Sequence, residues 1–85
     1  MKTDLSEIKD KVRVYIHEKV YTEKDKVNDE TLVFVEGYID SMGFMDIIVF
    51  LEEEFSISTG DADLLEENFE SINAISDFTM RKLMN

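Results

Sequence analysis

Ser41 to Phe55 reads SMGFMDIIVFLEEEF, and its apolar residues fall into two sets when the chain is wound at about 100° per residue. Phe44, Ile47, Ile48, Leu51 and Phe55 share one side and predict the buried face of a helix. Met42, Met45, Val49 and Phe50 occupy the remaining surface, interleaved with Asp46, Glu52 and Glu53. A plain solvated face carries fewer apolar groups than this, so something outside the core covers or visits it.

Upstream, Leu32 to Ile39 reads LVFVEGYI, apolar enough for a short strand. A lone strand has no partner for its backbone groups, so the stretch is expected to be a packed connection anchored by Val33, Phe34 and Ile39. Thr22 to Thr31, TEKDKVNDET, is polar, nearly devoid of apolar anchors, and reads as a loop. From Asp4 to about Val20, Leu5, Ile8, Val12, Tyr15, Ile16 and Val20 recur at helical steps. Asp4 can cap this helix, with Glu7 reaching back as in a capping box.

Downstream, Ser56 to Gly60 interrupts the pattern, and Asp61 to Glu67 predicts a short helix turning Leu64 and Leu65 inward. Ser71 to about Leu83 predicts a last helix with the stripe Ile72, Ile75, Phe78, Thr79 and Leu83. Ser71 suits its N-cap, and Arg81 and Lys82 suit the negative end of its dipole. The sum is an all-α fold, a small four-helix bundle with three long helices, one short helix and a long loop after the first.

Composition narrows the function. Eighty-five residues make one domain, residues 1–85, and so short a chain hides only about 60 to 65% of its unfolded surface. A simple core follows, with little room for an elaborate cleft. Twenty Asp and Glu against nine Lys and Arg give a net charge of −11, which repels nucleic acid and anionic lipid and favours basic protein partners. The chain has no cysteine, so any thiol chemistry must come from an attached group. Its start lacks the apolar run of a signal peptide and no window is long enough to span a bilayer, so a cytoplasmic monomer without membrane insertion is expected.

The run Asp40-Ser41-Met42 at a helix start, then Leu51-Glu52-Glu53-Glu54-Phe55, then Phe69-Glu70-Ser71-Ile72-Asn73-Ala74-Ile75, resembles the acyl carrier proteins and their aminoacyl-carrying relatives. The resemblance covers Glu36 to Phe78 well and the first helix loosely. It implies that Ser41 is esterified by 4′-phosphopantetheine taken from coenzyme A. Asp40 precedes that serine as in the family. Met42 stands where leucine is usual, and Gly43 where an acidic residue is frequent. Asp46, Glu52 and Glu53 match acidic positions that family members turn toward basic enzymes, and Met45 and Val49 match apolar docking positions. The implied partners are a phosphopantetheinyl transferase, a loading ligase or acyltransferase, and downstream biosynthetic enzymes. The chain is then a carrier, not an enzyme, and the Gly43 departure tilts it toward a specialised pathway.

The physics of a helix start agrees, because its unpaired amides and partial positive charge tolerate a phosphodiester. Other readings stay open on the residues alone. Ser41 can be a mere capping residue, and an unmodified acidic helical adaptor for a basic partner fits the charge equally. A hydrolase pairing Ser41 with His17 lacks an orienting acid, and His17 is expected at the surface. Asp61-Ala62-Asp63 lacks the third ligand and turn glycine of a calcium loop, and no metal site is expected.

Overall fold

The computed structural model describes residues 4–20 and 26–84, and the Thr22 to Asp25 part of the predicted loop lies outside them. Three α-helices make the frame: α1 (Leu5–Lys19), α2 (Ser41–Phe55) and α3 (Ile72–Met84). No strand occurs among the described residues. The start of α1 is fixed by Asp4, whose carboxylate accepts the Glu7 amide at 2.8 Å. Its end follows at Val20, which turns to extended backbone after its amide donates to the Ile16 carbonyl. Ile8, Val12 and Ile16 bury one stripe, and α1 packs chiefly on α3, whose Ile72, Ile75 and Phe78 face it from the same core. Ser71 caps α3 by accepting the Ala74 amide at 3.0 Å, as its position predicted.

Down one flank of α1, every fourth residue meets every fourth residue up α2. Lys19 lies 3.7 Å from Asp46, the Tyr15 ring stacks on Phe50 at 4.0 Å, and Lys11 lies 4.0 Å from Glu54. Matching steps in opposite directions mean that the two helices run antiparallel. Phe50, expected on the outer surface of α2, is therefore half-buried against Tyr15.

The rest of the core is stitched by rings. Phe34, Phe44, Phe69 and Phe78 form a chain with successive centroid distances of 5.7, 5.2 and 4.9 Å, linking the connection before α2, α2 itself, the segment before α3, and α3. Edge-to-face pairs of this kind contribute about 0.5 to 1.5 kcal/mol each beyond their burial.

Residues 32–39 form a packed turn, as expected from the lack of a strand partner. The Val33 carbonyl accepts from both Tyr38 and Ile39, and Gly37 turns the chain at φ 81°, a conformation that suits glycine. The Val33 amide in turn donates to Glu70 at 2.9 Å.

Several expectations are corrected. The loop after α1 does have an anchor: Val27 is 3% exposed, and its carbonyl accepts from His17 Nε2 at 3.0 Å, so His17 is half-buried and not a free surface residue. Arg13 ties the same loop to α1 by a forked pair of bonds to Asp29 at 2.9 and 2.8 Å. In place of a short helix over Asp61 to Glu67 stand two single 3-10 turns, Asp61–Asp63 and Glu66–Asn68. Leu64 and Leu65 consequently do not face inward and are 38% and 49% exposed, while Phe69 just beyond is the buried anchor. Leu83, placed in the stripe of α3, is likewise 38% exposed.

Candidate functional site

Asp40 and Ser41 sit where the chain leaves the 32–39 turn and enters α2. Asp40 has extended backbone and closes the helix start: its carboxylate accepts the Gly43 amide at 3.0 Å and its carbonyl accepts Phe44 at 3.0 Å. Among the described residues this leaves the Ser41 and Met42 amides as the unpaired donors of the first turn, with the positive end of the helix dipole behind them. Ser41 is exposed on that turn.

Two shallow grooves flank this corner. One, of about 430 Å³, is lined by Phe34, Ile39, Asp40, Ser41, Phe44, Leu64 and Glu66, and its walls are largely apolar. The other, of about 300 Å³, runs past Lys19, Tyr38, Asp40, Met42 and Asp46. Gly43, on the first turn of α2, packs against Ile39, and a Cβ there would overlap the Ile39 Cγ2 methyl. A larger side chain at this position would have to displace Ile39.

Along α2 the structure gathers Met42, Met45, Asp46, Val49 and Glu53 on one outward face. Met42 is 75%, Met45 54% and Val49 48% exposed, which is unusual for adjacent apolar side chains on one helix. Their acidic neighbours differ in freedom. Asp46 is drawn toward Lys19 at 3.7 Å. Glu53 is exposed and has no ion-pair partner among the described residues. Glu52 is turned toward the segment after α2, where one carboxylate oxygen accepts both the Thr59 amide at 2.9 Å and the Thr59 hydroxyl at 2.8 Å. Those two bonds, the backbone one foremost, hold the Glu52 carboxyl below its ordinary range.

Other side chains singled out in the sequence are engaged elsewhere. His17 points its Nε2 at Val27 and is not among the residues lining the groove at Ser41. The Asp63 carboxylate accepts the Gly60 amide at 3.0 Å and pairs with Lys82 at 2.9 Å, pinning the first 3-10 turn to α3. Among the described residues, no cluster of three acidic or histidine side chains is arranged to hold a metal ion. Sequence reasoning missed Lys19 and Leu64, which border the corner. Leu64 had been assigned to the core, and the partner of Lys19 lies 27 residues away in the chain.

No family model matches the chain. An acyl carrier protein of Thermotoga maritima is 30% identical to it over 77 residues, which span 91% of this chain and 93% of that relative. A match of that identity over nearly the full length of both chains, on a helical frame that presents a serine at the head of α2, makes this chain a member of the acyl carrier protein family.

Proposed function

We propose that this chain is a discrete acyl or aminoacyl carrier, modified at Ser41 with 4′-phosphopantetheine and serving a specialised biosynthetic pathway. The observation that carries the reading is Ser41 itself, an exposed hydroxyl on the first turn of α2 beside two unpaired amides. These residues fit the group: the amides of Ser41 and Met42 can donate to a phosphodiester, and the helix dipole favours its charge. Asp40 keeps the turn closed by accepting the Gly43 amide.

In the modification, the Ser41 oxygen bonds to the pantetheine-bearing phosphorus of coenzyme A. The adenosine bisphosphate half leaves, and the hydroxyl proton passes to the transferase. When bound, the arm supplies the thiol that this cysteine-free chain lacks, so acyl groups can ride as thioesters. The apolar groove beside Ser41 offers a resting place for an apolar part of the load.

Partners are the phosphopantetheinyl transferase, a loading ligase or acyltransferase, and the downstream enzymes that take the cargo. Asp46 and Glu53 steer them, with Glu52 at the edge of the face, while Met42, Met45 and Val49 give the apolar contact. The carrier acts as a monomer in the cytoplasm; among the described residues no helix is long and apolar enough to cross a membrane.

Incubating the purified chain with coenzyme A and a broad-specificity transferase tests the proposal. The expected result is a mass gain of one phosphopantetheine, lost in Ser41→Ala. An unmodified wild-type chain that still binds a basic partner would instead favour the adaptor reading.

A further inference from the structure

We propose that Met42 and Met45 form a peroxide-sensitive modification site whose oxidation weakens docking on α2; the inference rests on the carrier reading above. Their side chains lie one turn apart on the outward face with Val49, and at 75% and 54% exposure both are open to small oxidants. Met84 at the end of α3 is 76% exposed but lies off this face, whereas Met80 is half-buried against the core. Susceptibility of a thioether follows its exposure, and this chain has no cysteine to react first.

The chemistry is self-contained. A sulfur lone pair takes one oxygen from hydrogen peroxide, the O–O bond breaks, and water leaves. The thioether is oxidised by two electrons to a sulfoxide while the peroxide is reduced. An apolar, adaptable contact becomes a strong hydrogen-bond acceptor that must be desolvated whenever a partner covers it. Two such changes on one small face oppose docking together, and sulfoxide reductases of both stereospecificities, supplied with a dithiol that gives up two electrons and ends as a disulfide while water leaves, can reverse them. The Ser41 hydroxyl is inert to peroxide, so the two events can be read apart.

The test treats the unmodified full chain with hydrogen peroxide, assigns oxygen uptake by peptide mass mapping, then measures the initial rate of Ser41 modification with coenzyme A and a broad-specificity transferase. Met42 and Met45 are expected to gain oxygen ahead of Met80. The rate should fall about fivefold or more relative to the untreated chain, in keeping with lost apolar contact, and recover after incubation with both reductases. A Met42→Leu, Met45→Leu double variant, judged against its own untreated sample, should keep its rate although its other methionines oxidise. Oxidation of Met42 and Met45 no faster than of Met80, an undiminished rate in the oxidised chain, or an equal loss in the double variant would each overturn the inference. Failure of the untreated chain to take the arm at all would overturn the carrier reading, and this inference with it.

Discussion

Gly43 packs its bare Cα against Ile39, and any Cβ added there would overlap the Ile39 Cγ2 methyl. Ile39 cannot easily retreat, because it is 7% exposed, branched at Cβ, and held by its own amide to the Val33 carbonyl at 3.0 Å. Helix propensity alone would make Gly43→Ala stabilising by about 1 kcal/mol. Overpacking works in the other direction at about 1 to 3 kcal/mol and should prevail. Urea unfolding is expected to show a less stable Gly43→Ala chain, and in an Ile39→Ala background, which itself costs about 2 to 5 kcal/mol, the added Gly43→Ala step should cost less than it does in the wild-type chain. A gain in stability would show that the corner relaxes freely.

Ser56 ends α2 in the left-handed region, at φ 56° and ψ 38°, where a side chain is strained by about 1 to 2 kcal/mol relative to glycine. Ser56→Gly removes that strain while adding some freedom to the unfolded chain. The net expectation is a gain of about 0.5 to 1 kcal/mol, read as a higher urea midpoint at unchanged slope. A loss would mean that the hydroxyl makes a contact worth more than the strain.

The three long helices were legible because each shows a helical apolar stripe, with Asp4 and Ser71 in capping positions ahead of α1 and α3; ahead of α2 the cap is Asp40, not Ser41. The segment before α3 was not, because its order comes from polar clips between distant residues. Lys82 holds Asp63, Arg81 holds Asn68, and two leucines that look like core residues stay exposed. Val27 was hidden for the opposite reason, a single apolar residue in a polar run, anchored by a histidine ten residues earlier. At the site, Ser41 and the outward methionines could be read directly. That Lys19 would neutralise Asp46, and that Thr59 would engage Glu52, depends on tertiary placement that no local pattern encodes.

Stability should vary with pH in two opposed ways. Asp29 is held below its ordinary range, foremost by its bonds to Arg13, and Glu52 and Asp63 are lowered by backbone amides. A depressed carboxyl contributes stability that is present above its unfolded value, about 4, and is lost as pH falls through the folded one. Self-repulsion from a net charge of −11 has the other sign, easing as pH falls toward the pI of 4.3. Unfolding free energy is therefore expected to rise modestly from pH 7 to about 5 and to fall below about 4. Asp29→Asn should lose about 1 kcal/mol at pH 7, a figure kept small because both partners are about one third exposed, with the deficit shrinking near pH 3. A deficit constant across this range would mean that the Arg13 pair does not contribute through its charge.

Lys19 is the one basic side chain paired with an acid of the outward face of α2, 3.7 Å from Asp46, among the described residues. Both groups are about half exposed, so the pair adds little to stability and chiefly masks a carboxylate that a basic partner could read. Lys19→Gln should unmask it. With a broad-specificity transferase at low salt, kcat/KM for Ser41 modification is expected to rise about two- to threefold, the scale on which a single exposed charge alters association. Glu53→Gln, which removes an unpaired charge from the same face, should lower it by a similar factor. Both differences should fade as added salt shortens the screening length. If the Lys19 variant is slowed instead, its contact over the Tyr15 ring at 5.4 Å matters more to the α1–α2 seam than its charge does to docking.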